Sequence, residues 1–162
     1  MPSLTHDFLD GLGPVPAHKH PNGGGWVADT ATVDASAYVG PSALVYGDAL
    51  VYGDARVYGD AQVYGNAQVY GNALVYGHAQ VYGDAQVYGD ARVSGHARVY
   101  GDAWVSGHAR VYGHAWVSGD AWVCGHALVY SGHHTTGLIG CSENPIEALC
   151  HAAMVLMERK EV

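Results

Sequence analysis

From residue 27 onward the chain repeats one arrangement of apolar and polar positions every six residues. A valine stands at every sixth position from Val27 to Val129, 18 valines in all, and an alanine follows four residues later from Ala31 to Ala127. Only the last alanine slot differs, as His133. The unit reads V-Y-G-D-A-Q. Self-similarity at a fixed short period is the mark of a solenoid. A helix is disfavoured, because a glycine and a β-branched valine in every unit together cost roughly 1 kcal/mol or more per repeat in a helix. Short strands fit. The valine and alanine slots are predicted to line the interior, and the second, fourth and sixth slots to point outward. Slot four, from Thr30 to His126, holds only Asp, Asn, His, Ser or Thr. Asp, Asn and His are the non-glycine residues most enriched at left-handed backbone angles. Slot four is therefore expected to carry a left-handed corner, with the slot-three glycine adding freedom.

The V-x-G-x-A-x pattern resembles the hexapeptide repeats of left-handed parallel β-helices, found in acyltransferases and γ-class carbonic anhydrases. The tyrosine-rich form of the unit resembles hexapeptide proteins of phages and prophages. The resemblance implies a triangular prism with three hexads per 18-residue coil, hence about six coils and a height of roughly 29 Å at ordinary strand spacing. It also implies the left hand, against the usual crossover preference. The sequence supports the longer period in places: His78, His96 and His114 lie 18 apart, as do His108 and His126, Arg92 and Arg110, and Trp104 and Trp122.

The ends break the period. Residues 1–25 are expected to form a cap over the first coil, with Thr5 capping a helical turn through Phe8 and Leu9 before a glycine- and proline-rich loop. Residues 26–140 form the expected hexapeptide β-helix. Over 141–162, Asn144, Pro145 and Glu147 match a helix start, and Ile146, Leu149, Cys150, Ala153, Met154 and Met157 recur at helical spacing. The expected architecture is thus an all-β solenoid with a C-terminal α-helix. That helix is expected either to cover the last coil or, as in similar hexapeptide trimers, to pack on neighbouring protomers.

Composition narrows the function. The formal charge is −8 with histidines neutral, which disfavours nucleic acid as a partner. No apolar run reaches about 18 residues, so no membrane partner is expected. Three cysteines form no framework pattern and suggest reduced thiols. With no signal-peptide pattern at the start, the expected setting is the cytoplasm of a bacterial host.

The histidines do not make a metal signature. In the similar carbonic anhydrases, two zinc histidines lie two coils apart and a third follows the second by five residues. His78 and His114 have the interval, but position 119 is Gly119. No metal or cofactor is expected, and histidine reads as an alternative corner residue to Asp and Asn. The similar acyltransferases place a histidine base between protomers beside a loop that interrupts the coils; here no loop interrupts Val27 to Val129, so no catalytic residue is assigned. Asp84, Asp102 and Asp120 share a column whose repulsion, about 0.8 kcal/mol per pair in water, an exposed corner tolerates without calcium.

One contrast remains. Tyr46 to Ala91 carries Asp48, Asp54, Asp60, Asp84 and Asp90 against Arg56 alone, whereas the arginines, tryptophans and most corner histidines collect from Arg92 onward. Arg92, Arg98 and Arg110, His96, His108, His114 and His126, with Trp104 and Trp116, form the candidate site for a small anionic, nucleotide-like ligand, since guanidinium forks match phosphate and indoles stack flat rings. The same residue types are enriched at interfaces, and similar proteins bind ligands between protomers. The expectation is a non-catalytic homotrimer that binds, and so sequesters, such a ligand. The rival readings are a purely structural or adhesive repeat protein and an acyltransferase.

Overall fold

The computed structural model describes residues 4–141. The chain is an all-β parallel solenoid of about six 18-residue coils, and there is no helix among the described residues. The helix expected over 141–162 lies, apart from Cys141, outside them. Each coil gives one two-residue strand to each of three sheets. The first sheet runs from Trp26–Ala28 through Gln80–Val81 and Arg98–Val99 to His133–His134. The second runs from Thr32–Val33 to Leu138–Ile139, and the third from Tyr38–Val39 to Leu128–Val129. Neighbouring strands pair in parallel at a register of one coil, as Gln80↔Arg98 and Val81↔Val99 show.

The interior is the expected one. The slot-one valines from Val39 to Val123 and the slot-five alanines from Ala37 to Ala121 are fully buried in one continuous core. Each buried valine stabilises the fold by roughly 1.5–3 kcal/mol, and no larger side chain shares the prism axis with them. The tyrosines, expected to point outward, do leave the interior but are less exposed than that implies. Tyr46, Tyr64, Tyr82 and Tyr100 stack in one column with centroids 4.8 to 4.9 Å apart and planes within 4° of parallel. Rings covered on both faces lose much of their water contact, and Tyr46, Tyr70 and Tyr88 are buried.

The corner differs from expectation. The left-handed angle belongs to the slot-three glycine: φ is +69° at Gly47, +71° at Gly83 and +67° at Gly101, and among the described residues only Leu9 shows positive φ without being glycine. Slot-four residues sit beside the corner and need no special angle. A second constraint explains why glycine holds the position. A Cβ on Gly83 would lie 2.9 Å from the backbone nitrogen of Gly101 in the next coil. The asparagine-like residues enriched at left-handed angles therefore cannot take over, because their Cβ would meet the next coil's backbone.

The N-terminal segment covers the first coil with strands, and Thr5 lies in one of them rather than capping a helical turn. Strand β1 (Thr5–His6) pairs antiparallel with β2 (Val15–Lys19), which pairs antiparallel with β3 (Trp26–Ala28), the first strand of the first sheet. The open edge of that sheet is thereby closed, and an open edge would invite association. The aromatic columns are closed too: Phe8 stacks on Tyr46 at 4.9 Å, and His6 stacks on Trp26 at 4.3 Å. Lys19 Nζ lies 4.3 Å from the Trp26 ring centre. The hairpin is pinned by His18 Nδ1 on Asp29 Oδ1 at 2.8 Å.

At the far end the coil shortens. Trp116 pairs with His133 and Trp122 with Leu138, intervals of 133 − 116 = 17 and 138 − 122 = 16 residues. This tightening sets the residues after Val123 and Ile139 side by side. Cys124 and Cys141 meet there with Cα atoms 4.9 Å apart and form a disulfide, well inside the range such a bridge spans. The expectation of reduced thiols is corrected for this pair; the shortened register that brings them together has no sequence signal.

Three substitutions test the corner and core together. Val81→Asp is expected to unfold the prism, because the charge has no partner inside it. Gly83→Ala should cost about 2 kcal/mol or more from the left-handed angle and the close approach, while Asp84→Ala should stay within about 0.5 kcal/mol of the parent. Denaturant melts that rank Asp84→Ala with Gly83→Ala would restore the slot-four corner. The disulfide closes a short loop, so a dithiol should lower stability by up to about 3 kcal/mol. It should leave Cys124→Ser unchanged, and equal loss in both proteins would exclude the bridge.

Candidate functional site

The three sheets sort the nine candidate residues. Arg92 and Arg110 pair across neighbouring strands of the third sheet. His108 and His126 occupy the corner at which the chain enters that sheet, and His78, His96 and His114 the corner at which it leaves. Both histidine columns are stacked. His78 lies on His96 at 4.9 Å, His96 on His114 at 5.1 Å, and His108 on His126 at 5.0 Å, all within 7° of parallel. Six of the nine thus frame one exposed face.

Arg98 and Trp116 sit on the first sheet, next along the chain after the His96 and His114 corner. The Arg98 guanidinium lies 4.9 Å from the Trp116 ring centre, and His133 stacks on the other side of that indole at 4.3 Å. Trp104 is elsewhere. It stands on the second sheet, stacked on Trp122 at 4.7 Å, beside the column of Asp84, Asp102 and Asp120. The structure therefore does not bring Trp104 to the arginines. The linear density of Arg, His and Trp after Ala91 spreads over three faces. Counting in steps of 18 would have separated Trp104 and added His78.

The arginines of the third face lie among acids but are not paired with them. Among the described residues no arginine forms an ion pair with a carboxylate. The acids nearest the histidine columns are Asp60, 3.5 Å from His78 Nδ1, and Asp90, 3.6 Å from His108 Nδ1. Two guanidinium groups one rung apart repel by about 0.8 kcal/mol in water. An anion that bridges their forks would relieve that repulsion and take charge-assisted hydrogen bonds from both. Among the described residues no three His, Cys, Asp or Glu side chains converge as a metal site. The histidines here are spread along the axis as a ladder. Nor is any helix of the described residues long and apolar enough to cross a membrane.

The repeat itself is a known one. The family model for the YdcK beta solenoid repeat matches residues 43–59, 49–65, 67–83, 85–95, 91–107 and 109–125. The chain is a repeat β-solenoid. The matches span regular coils that hold Arg92, Arg98 and Arg110, and they stop short of His126 and the shortened last coil. The family is described by its repeat, so the likeness speaks for architecture. No curated protein and no solved structure matches the chain.

Two histidines outside the candidate face have shifted acidities. His6 is held below its ordinary value by burial and then by Lys19, against Asp7. His20 is held below 6.5 by burial and then by His18. It is 3% exposed, its Nε2 lies 3.0 Å from the Asp34 carbonyl oxygen, and its Nδ1 accepts from the Asn22 amide at 3.2 Å. That arrangement fits the neutral ring. As pH falls, the unfolded chain takes up its proton first. The contribution of His20 is complete above 6.5 and is lost as pH falls from there toward the lower folded value. Between about pH 7.5 and about pH 5, the melting temperature of His20→Gln should fall less than that of the parent. Parallel slopes would show that His20 is not held neutral.

Proposed function

We propose that this protein is a non-catalytic β-solenoid of the phage or prophage hexapeptide type. It binds a small anionic, nucleotide-like ligand between protomers of a homotrimer and thereby sequesters it. The observation that carries the reading is the pair of exposed, unpaired guanidinium groups of Arg92 and Arg110, framed by two stacked histidine columns. Their forks suit phosphate oxygens; Trp116, one corner away on the first sheet, is half-buried with Arg98 and His133 on its two faces, so a ligand ring meets only its edge. Residues on one open sheet surround only one side of a ligand, so a second protomer completes the enclosure that small ligands require. In the bacterial cytoplasm, the setting proposed, the Cys124–Cys141 pair would meet a reducing pool, and the last coil would then rest on its ladder alone.

A structural role is the second reading, and the tyrosine stacks, the longest running from Tyr46 to Tyr100, favour it. Stacked rings add up to about 1 kcal/mol per pair to strand pairing, which suits a rod whose work is mechanical. The two readings separate in solution. Light scattering should give three times 17.0 kDa at micromolar concentration; a stable monomer removes the trimer and the shared site with it. Calorimetry against a panel of nucleotides should find a saturable ligand whose affinity Arg110→Ala lowers by roughly tenfold or more, the value of one hydrogen bond to a charged group. A folded Arg110→Ala that binds as tightly as the parent returns the protein to the structural reading.

A further inference from the structure

The tyrosine column of the third sheet has a rung missing. One coil after another, its second slot holds Tyr58, Tyr76, Ser94, Tyr112 and Tyr130. Tyr58 and Tyr76 stack at 5.1 Å and within 3° of parallel, and Tyr112 lies against Tyr130 at 5.7 Å. Between the two pairs stands only a serine. In the other columns Ser106 and Ser118 come after the last tyrosine, so among the described residues Ser94 alone has a tyrosine on the rung to either side. The backbone does not change there. The amides of Tyr76, Ser94 and Tyr112 donate to the carbonyls of Val93, Val111 and Val129 at 2.9, 2.9 and 2.8 Å. The ladder runs on, and what it lacks at this rung is a ring.

The gap has the size and the walls of a ring site. Tyr76 and Tyr112 are 112 − 76 = 36 residues apart, which is two coils, so about 9.6 Å separates their rungs. A flat ring midway lies about 4.8 Å from each, a spacing at which aromatic rings attract. The intact columns show the same spacing, 4.8 Å from Tyr46 to Tyr64. Tyr58 and Tyr130 cover the far faces of the two walls, whereas the faces on the gap have no tyrosine on them. No cation fills it either: among the described residues the cations over rings are Lys19 on Trp26 and Arg98 on Trp116. Tyr112 is 36% exposed, and among the described residues only Tyr130, in the last coil, is a second exposed tyrosine.

The charged neighbours agree with the walls. Arg92 stands two residues before Ser94, and Arg110 two before Tyr112, so each points outward on the same side of its strand. Both are exposed. Rings in this slot reach toward the residue 16 further on: the Tyr70 hydroxyl donates to Gln86 Oε1 at 3.4 Å, and Tyr88 meets Trp104 edge-on at 6.4 Å. From Ser94 that step arrives at 94 + 16 = 110, which is Arg110. Arg110 thus borders the gap, with Arg92 on the neighbouring rung. We propose that the gap at Ser94 takes the base of a nucleoside phosphate as the missing rung, held between Tyr76 and Tyr112, with its phosphate on Arg110 and Arg92. The proposal rests on the anion reading of this face and gives the ligand's ring a place that the covered faces of Trp116 do not. Every base has a π face, so stacking tolerates all of them and the class is a nucleoside phosphate rather than one nucleotide. A sugar phosphate or free phosphate would use the arginines and leave the gap open.

Titration with the fluorescent nucleotide etheno-AMP tests the proposal, with inorganic pyrophosphate as the probe of the arginines alone. The parent is expected to bind etheno-AMP and to quench its emission, since the base lies between two phenol rings. Ser94→Tyr supplies the tyrosine that the neighbouring rungs carry. It should melt no lower than the parent and bind pyrophosphate as the parent does, yet lose roughly tenfold or more in etheno-AMP affinity, the scale of one base–aromatic stack. Ser94→Ala leaves the gap open and should bind both probes as the parent does, whereas Tyr112→Leu should lose several-fold for etheno-AMP only. Equal etheno-AMP affinity in Ser94→Tyr and the parent overturns the ring site and leaves the anion reading standing. Saturable pyrophosphate binding without etheno-AMP binding does the same. Unchanged affinity for both probes in Arg110→Ala overturns the anion reading and the phosphate half of the proposal with it. Failure of both probes to bind overturns both. Should Ser94→Tyr fail to fold, Tyr112→Leu and the quenching decide.

Discussion

The backbone ladder between coils is the constraint on which everything else depends. From Thr32 onward each strand is two residues long and pairs with the strand one coil away, so side chains stand on their counterparts about 4.8 Å apart. The glycine corner follows from this ladder, since a Cβ there runs into the next coil's backbone. The small interior follows as well: with three strands meeting in each coil, only valine and alanine fill the axis. Aromatic rings at the second slot then have no choice but to stack, and stacking covers the rings that the alternation of slots would leave in water.

Because the ladder places like on like, it also dictates where charge can be tolerated. Asn66 donates to Asp84, and Asn72 donates to Asp90 at 3.1 Å. His78 stands beside Asp60, and His108 beside Asp90. In each case a column that begins with acids is interrupted by a group able to donate to them. Such alternation turns repulsion between neighbouring coils into modest attraction, and at these exposed corners each pair contributes little more than a few tenths of a kcal/mol.

Much of the fold was legible in the sequence, because a strict period leaves one arrangement for the valines and alanines. The left-handed angle was misplaced by one residue. Propensity for such angles pointed to Asp, Asn and His at slot four, but propensity is blind to the next coil, whose backbone excludes any Cβ at slot three. The N-terminal strands were missed because Thr5 and His6 gain their partners only from Val15 to Lys19, beyond the reach of a local capping pattern. The Cys124–Cys141 bridge depends on two deletions in the last coil that no residue type announces. The candidate site was legible in part: proximity along the chain grouped Trp104 with the arginines, whereas the 18-residue step puts it on another face.

The uninterrupted columns are therefore the places where the chain departs from its own rule. Asn66 and Asn72 show that slot four accepts a neutral residue, so nothing in the corner geometry requires acid at all three of positions 84, 102 and 120. Likewise Leu74 stands between Arg56 and Arg92 on the third sheet, so the sheet does not require arginine at both 92 and 110. Among the described residues Asp102, Asp120, Arg92 and Arg110 form no ion pair, so each run leaves like charges one rung apart, on opposite sides of the same prism. Only where a neutral or donating residue follows an acid does the chain itself relieve the repulsion between rungs.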